Sequence, residues 1–269
     1  MGEEFIADTI QSVLDQSFQS FEIVVVDDCS TDQTESIVLK FSDDRIRYYK
    51  NETNLGPQGN WNRCLELVTG KYYKLLPHDD LLLTDCIQTQ VDVFEHDQDM
   101  QIALVFGAKI VINSRGKRLL TRYTLGKRSC RISANRLINK CIRSGSNMIG
   151  EPGNGLIRAN LIEQVGKYSD TYPYVIDLDY WFRVLLHGDA YYSAQITSCF
   201  RVSELAWSTK IGKKQYNDYV GMIQKYAGDD RYEINAFSKI LGTVNSYLAS
   251  FVRRVLYVLL RFYNNDKSI

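Results

Sequence analysis

The sequence lacks the patterns typical of zinc knots, disulfide scaffolds, exported proteins and membrane-spanning proteins. Its six cysteines show no C-x-x-C spacing and its three histidines are scattered, which argues against a structural zinc site or a disulfide framework. Its first residues carry no basic segment followed by a long apolar one, so we expect no signal peptide. No run reaches the roughly 18 apolar residues of a spanning helix. We therefore expect a cytoplasmic protein, in solution or on a membrane surface.

An excess of charge of one sign is also lacking. The 32 Lys and Arg residues balance 32 Asp and Glu residues, so no field of the whole molecule attracts nucleic acid, and none is expected as a partner. The G-x-G-x-x-G and Walker loops, the G-x-S-x-G elbow and the H-E-x-x-H zinc motif are absent. Hydride transfer, ATP hydrolysis and serine hydrolysis therefore lose support as activities.

What the sequence does contain is a regular alternation of helices and strands. Its 269 residues, 45% hydrophobic and 24% charged, are typical of a folded globular protein with one large or two smaller domains. Short apolar runs predict strands at residues 21–26, 45–49, 72–76 and 102–112, with amphipathic helices before and between them. This order predicts an α/β fold with a mainly parallel sheet flanked by helices.

Acidic residues mark three places along this pattern. The first two pairs follow the ends of predicted strands, the second after Pro77 and His78, and the third begins a helix: Asp27 with Asp28, Asp79 with Asp80, and Asp177 with Asp179. Ligands of such sheets bind beyond the carboxyl ends of the strands, where carboxylates can hold a divalent cation that bridges nucleotide phosphates. A partly desolvated Asp can also accept a proton. Each pair has a plainer interpretation, because Asp also forms turns and caps helices.

Two further segments carry local charge. Residues 113–149 are basic and irregular, which suits either a loop over an anionic ligand or a solvated surface. The C-terminal stretch places apolar residues at helical spacing from Ile240 to Leu260, accompanied by Lys239, Arg253, Arg254 and Arg261. Such a helix can lie in the headgroup layer of a membrane, or dock on the core or a second subunit.

Taken in order, five motifs resemble the family 2 glycosyltransferases, which are inverting enzymes with the GT-A fold. The motifs are residues 12–18 (SVLDQSF), 21–32 (FEIVVVDDCSTD), 54–56 with 60–63 (NLG and NWNR), 76–80 (LPHDD) and 177–183 (DLDYWFR). The resemblance covers about residues 3–205. It predicts a GT-A-like domain at residues 1–205. Residues 206–269 would form a helical extension that could contact a membrane.

The resemblance also implies roles for individual residues. Asp177 matches the general base, with Asp179 as the fallback candidate. The nucleotide-sugar site would contain Asp27 or Asp28 at the base, together with Asn62 and Asp79. Asp80, with Asp79, would hold Mn or Mg. The acceptor site would include Glu151, Pro152 and Trp181.

The activity implied is transfer of a sugar, with inversion, from a nucleotide-sugar, above all a UDP-sugar, to a hydroxyl of a saccharide or lipid-linked acceptor. The setting would be cell-surface polysaccharide or lipopolysaccharide synthesis, peripheral on the inner face of the plasma membrane. Two departures stand against it: Pro77 and His78 occupy the start of the metal motif, where His78 could itself be a ligand, and the family's first strand is missing before Gly2. The domain would then be N-terminally truncated.

Two other hypotheses remain from the sequence. The chain could be a catalytically inactive truncated remnant that binds a membrane or a partner. It could instead make sugar nucleotides as a nucleotidyltransferase, although the Gly-rich triphosphate loop of such enzymes is not found near the N-terminus.

Overall fold

The computed structural model describes residues 2–202 and 214–265, with side chains as far as Val252 in the last helix. The chain begins with helix α1 (Ile6–Leu14), whose apolar face buries Ile6 and Ile10. Strand β1 (Ile23–Asp27) then pairs in parallel with β2 (Ile46–Lys50), and α2 (Thr34–Val38) lies in the connection between them. These elements form a separate two-stranded sheet at the N-terminus.

The other strands form a seven-stranded mixed sheet. Its bounds are β3 (Tyr72–Tyr73), β4 (Leu81–Leu82), β5 (Ile102–Asn113), β6 (Arg118–Arg122), β7 (Cys130–Ile132), β8 (Gly155–Arg158) and β9 (Asp189–Val202). The strand order is β3-β8-β5-β9-β4, with β6 on β5 and β7 on β9. The long strands β5 and β9 run parallel at its centre, whereas the other pairings in this sheet are antiparallel.

Helices cover this sheet and form the C-terminal part of the chain. They are α3 (Gly56–Glu66), α4 (Cys86–His96), α5 (Ala134–Ser144), α6 (Ile162–Val165), α7 (Ile176–Val184), α8 (Lys214–Ala227) and α9 (Ala236–Asn265). The core lies around β5, where Leu104, Val105 and Phe106 are all completely buried. Successive strand residues point to opposite faces, so this burial shows that both faces of the sheet are covered.

The predicted α/β class with flanking helices is confirmed, and the strand directions are more mixed than predicted. The sequence pattern locates strands but does not say which strands become neighbours. Here β4 and β8 reach the long strands in the antiparallel sense. The strand predicted at residues 72–76 shrinks to Tyr72–Tyr73 because only these two residues find a partner, on β8.

The division of the chain at residues 205 and 206 lies outside the described residues and stays a prediction. The same holds for the side chains of Arg253, Arg254, Leu260 and Arg261, although α9 itself continues through this stretch. Among the described residues, no helix combines the length and the apolar character needed to cross a membrane.

Candidate functional site

A cleft of about 1650 Å³ separates the two sheets, which is larger than the roughly 300–1,000 Å³ of most ligand pockets. Consecutive residues of β1, from Ile23 to Val26, all line it, as does the whole stretch from Gly70 to Asp80. Side chains alternate between the faces of a strand, so consecutive residues line one cavity only where the edge of the strand faces it. The cleft is therefore bordered by two strand edges and is apolar at this end.

The other end of the cleft is acidic, and β1 brings two of its carboxylates there. Asp27 ends the strand and accepts hydrogen bonds from the Ser30 amide (2.9 Å) and the Tyr48 hydroxyl (2.7 Å). Burial opposes ionisation, but these hydrogen bonds outweigh it and lower the pKa of Asp27. Asp28 accepts from the backbone amides of Leu55 (2.7 Å) and Gly56 (2.9 Å) at the start of α3. Both residues line the cleft, and both also organise its wall.

The turn after β3 presents Asp79 and Asp80 to the same cleft. Arg201 of β9 holds this turn, since its Nε donates to the carbonyl oxygen of Asp79 (2.8 Å) and its amide donates to Asp80 Oδ1 (2.9 Å). From the other side, the Thr9 hydroxyl lies 2.7 Å from the carbonyl oxygen of His78 and 2.9 Å from that of Asp80. The backbone of this turn and the Asp80 carboxylate are thus held by residues far away in sequence.

Asp80 is a buried carboxylate that forms no ion pair with a cation among the described residues. Burial, with the negative charges of Asp79 and Glu151 added to it, holds its pKa well above the ordinary value. The described residues contain no group of three or more His, Cys, Asp or Glu side chains arranged as a metal site. Two adjacent carboxylates still suit Mg²⁺ or a similar ion, which proteins often hold through one or two carboxylates together with substrate phosphates.

Asp177 stands at the start of α7 and lines the cleft as well. Its Oδ2 accepts a hydrogen bond from Asn147 Nδ2 (2.8 Å), and its Oδ1 accepts one from the Leu178 amide (2.8 Å). Burial is the main cause that raises its pKa to about 7, and the charge of Glu151 adds to it. A carboxylate with this pKa is suited to general base catalysis near neutral pH.

One ion pair acts electrostatically on both Asp80 and Asp177. Lys109 of β5, whose side chain is 3% exposed, pairs with Glu151. The charges of both Lys109 and Glu151 act on Asp80 and on Asp177. Glu151 and Pro152, which the sequence prediction assigned to an acceptor site, line the cleft. The Lys109–Glu151 pair therefore acts electrostatically on both the Asp80 and the Asp177 regions of the cleft.

Three residues predicted for the site do not line the cleft. Asn62 binds the backbone of Tyr168 through both atoms of its amide, at 2.7 and 3.2 Å. The Trp181 indole donates to the carbonyl oxygen of Gly150 (3.2 Å) and lies under Gly155. Asp179 is 2% exposed. Its carboxylate contacts Arg183, Lys225 and Tyr226 at 3.1, 2.7 and 2.8 Å.

Four residues that the sequence analysis did not single out support the site. They are Lys74, Lys109, Asn147 and Arg201. Lys74 donates to the carbonyl oxygens of Gly153 and Gly155, both at 2.9 Å. Lys109 and Arg201 carried a readable signal, because a charged residue inside an otherwise apolar strand must find a partner when buried. Asn147 had no such signal, since polar residues in a loop are ordinary.

Comparison with known proteins identifies the family. The family model described as "Glycosyl transferase family 2" matches residues 2–166. This chain belongs to glycosyltransferase family 2. The prediction made from the five motifs is thereby confirmed, and enzymes of this family generally use a divalent metal ion.

Individual glycosyltransferases that this chain resembles share less than a third of their aligned residues with it. The chain is 24% identical over 220 residues to an uncharacterized glycosyltransferase of Rickettsia typhi, covering 81% of this chain and 66% of the relative. It is 29% identical over 140 residues to WfgD of Escherichia coli, a UDP-Glc:α-D-GlcNAc-diphosphoundecaprenol β-1,3-glucosyltransferase, covering 52% of each. The chain thus spans about half to two thirds of the length of these relatives.

A solved structure confirms the GT-A glycosyltransferase fold. The crystal structure of Staphylococcus aureus TarS 1–349 in complex with UDP-GlcNAc superposes with a TM-score of 0.68 at 16% identity, covering 91% of this chain and 68% of TarS 1–349. At this identity the likeness establishes the fold of this family 2 chain, and its ligands are a separate question.

Proposed function

We propose that this protein transfers a sugar from a nucleotide-sugar to a hydroxyl acceptor with inversion at the anomeric carbon. The observation that carries the proposal is the half-buried Asp177, whose pKa is raised to about 7 in the same cleft as Asp79 and Asp80. Titratable groups whose surroundings separate their proton affinities mark acid–base and binding roles. Family membership and the UDP-GlcNAc complex of TarS support the same reaction.

In the proposed reaction, Asp177 accepts the proton of the acceptor hydroxyl while the hydroxyl oxygen attacks the anomeric carbon. The bond from that carbon to the donor's phosphate oxygen breaks, and the nucleoside diphosphate leaves with the electron pair. Asn147 and the Leu178 amide each occupy one carboxylate oxygen of Asp177. These two hydrogen bonds fix the direction in which the remaining lone pairs of Asp177 point.

The donor side would be built from the two acidic turns. We assign Asp79 and Asp80 to a divalent ion, Mn²⁺ or Mg²⁺, which when bound neutralises charge on the leaving diphosphate. Asp27 and Asp28 are assigned to the nucleoside part of the donor, which is uridine in the first instance. Asn62 would act indirectly, because its amide holds the Tyr168 backbone.

The acceptor is proposed to be a saccharide or lipid-linked sugar of a cell-surface polysaccharide, as the name of WfgD suggests. Leu120 and Arg122 of β6 line the cleft with Glu151 and Asp177. Residues 100–150 contain no Asp or Glu. Arg122 would therefore offer a complementary charge to a phosphate-bearing acceptor on this side. A peripheral position on the inner face of the membrane would fit such a substrate.

Two measurements test the proposal. Calorimetric titration of UDP into the chain, with and without Mn²⁺, tests the donor site, and metal-dependent binding is expected. Release of nucleoside diphosphate is then assayed with UDP-, GDP- and dTDP-sugars. Binding without release from any donor and acceptor would favour the alternative of an inactive remnant. Absence of binding to every nucleotide by a folded chain would refute the donor site.

A further inference from the structure

Helix α9 packs on the rest of the protein with its small side chains and turns its large apolar ones outward. Residues at every fourth position are buried on one face: Ser238, Gly242, Ser246 and Ser250. The opposite face is a continuous apolar surface, the α9 stripe, with 52–67% of each residue exposed: Phe237, Ile240, Val244, Tyr247, Leu248, Phe251 and Val252. A helix that covers a soluble core normally has the reverse arrangement.

The close fit of the small face fixes this orientation. A methyl group at Gly242 would lie 2.5 Å from the carbonyl oxygen of Ile142 in α5. Similarly, one at Gly145, just after α5, would lie 2.3 Å from the amide of Ser246. The two helix backbones approach so closely that no large side chain fits between them. Rotating α9 to bury its apolar stripe would therefore drive the helices apart.

Cations lie beside the stripe. The outer face of α5 presents Arg136, Lys140 and Arg143 around a hollow whose other lining residues are asparagines. The Arg143 guanidinium lies 5.9 Å from the ring centre of Phe237 and donates to Ser238 Oγ (2.8 Å). Lys239 is exposed in the first turn of α9. In a chain of zero net charge, this is a local basic surface next to an exposed apolar one.

We propose that the α9 stripe and the basic face of α5 together form a docking surface for an anionic phospholipid bilayer. Apolar side chains would enter the boundary of headgroups and acyl chains while Arg and Lys contact lipid phosphates, as in interfacial amphipathic helices. A second copy of this chain is a poorer occupant, because a symmetric contact would bring two basic α5 faces together. The surface is separate from the cleft and does not depend on the proposed sugar transfer.

The test is flotation of the full chain with vesicles of phosphatidylglycerol and phosphatidylcholine, compared with phosphatidylcholine alone. Binding to the anionic vesicles is expected, with strong weakening in high salt. The triple variant Phe237→Ser/Ile240→Ser/Val244→Ser should lose binding, and Arg136→Gln/Lys140→Gln should weaken it about tenfold or more. Leu39→Ser, at a residue just after α2 that is 64% exposed, is the control and should bind normally.

Circular dichroism and thermal unfolding identify any variant that fails to fold. Two results would overturn the proposal. One is a folded wild-type chain that does not bind anionic vesicles. The other is a dimer in sedimentation equilibrium that the triple variant abolishes, since this would assign the stripe to a second copy. Nucleotide binding by calorimetry is expected to be unchanged in all of these variants.

Discussion

At the scale of single residues, Asp177 and Asp179 show how position on a helix separates two similar carboxylates. A helix turns by about 100° per residue, so side chains two positions apart point in nearly opposite directions. Asp177 points to the cleft and Asn147, whereas Asp179 points to Arg183 and Lys225. Asp177 is therefore our candidate base, and Asp179 anchors α7 to α8.

Replacing Asp177 by Asn should abolish transfer and leave donor binding nearly intact. The amide retains the size of the side chain but does not take up a proton at neutral pH, and general base catalysis is typically worth about 10²–10⁴ in rate. The measurements are turnover at saturating donor and calorimetric affinity for UDP. Asp170→Asn, an exposed residue outside the cleft, is the matched control. A large loss of UDP affinity in Asp177→Asn would contradict the assignment.

The turnover rate should fall on the acid side of neutrality. Since burial raises the pKa of Asp177 to about 7, protonation below that pH removes the base, and kcat should drop about tenfold per pH unit there. Measuring at saturating donor separates this effect from titration of the donor site. A kcat that stays flat down to pH 5 would exclude Asp177 as the base.

The raised pKa of Asp177 also affects folding stability. Ionisation of Asp177 supplies the base that catalysis needs, but it lowers the free energy of unfolding. The pKa of Asp177 lies above its ordinary value of 3.8, so the folded chain holds this proton more tightly than the unfolded chain. That stabilisation is complete below about pH 4 and is lost as pH rises through about 7. Asp177→Asn should thus be more stable than wild type at pH 8, by of order 1 kcal/mol, and less so at pH 5. Thermal unfolding at the two pH values checks this.

At the scale of elements, one residue of β9 links three parts of the protein. Arg201 is 3% exposed. Its guanidinium contacts the carbonyl oxygens of Asp79 and Ser114 and lies 4.4 Å from the ring centre of Phe5. It therefore fastens Phe5, just before α1, and the acidic turn to the C-terminal end of β9.

Arg201→Met should destabilise the fold and weaken metal-dependent UDP binding together. Two partly buried carbonyl oxygens lose a charged donor, which we expect to cost about 2–4 kcal/mol in the free energy of unfolding. Urea unfolding and calorimetry measure the two effects. Arg231→Met is the control, because that side chain is 70% exposed and pairs with Asp229, two positions away. Equal, small effects of both substitutions would contradict the role given to Arg201.

The elements also show what the sequence could predict. The sequence pattern located the acidic turns after β1 and β3, because ligands of such sheets bind at the carboxyl ends of the strands. It also located the start of a helix at Asp177. The sequence did not show which residue of the motif around Asn62 faces the cleft. The motif contains Asn60, Trp61 and Asn62, and only the first two line the cleft. Which residue of such a run faces a cavity depends on helix phase and on a partner, Tyr168, that lies 106 positions away.

At the scale of the whole molecule, the protein consists of two sheets whose facing edges are not joined. The edges start side by side, since Glu22 just before β1 accepts a hydrogen bond from the Thr69 amide (3.1 Å) just before β3. At the other end, Gly2 lies between Thr34 and His78. The edges thus run the same way, with the apolar end of the cleft between them.

An extended apolar segment fused ahead of Gly2 should stabilise the protein by joining the sheets. It can pair with β1 and with the stretch from Tyr72 to Leu76 while its side chains fill the apolar end of the cleft. We expect an increase of several degrees in the midpoint of thermal unfolding. The control segment carries Pro at its centre, which removes a donor and blocks pairing. An equal increase with both segments would indicate that the edges are not the binding sites.

The Lys109–Glu151 pair offers a route by which the two ends of the cleft could influence each other. Its charges act on both Asp80 and Asp177, so a donor that displaced this pair should change the proton affinity of Asp177, and that coupling would be reciprocal. Donor binding should therefore be accompanied by proton exchange with the buffer. In such a cleft, the order in which donor and acceptor bind would depend on the charge of the cleft as well as on the space in it.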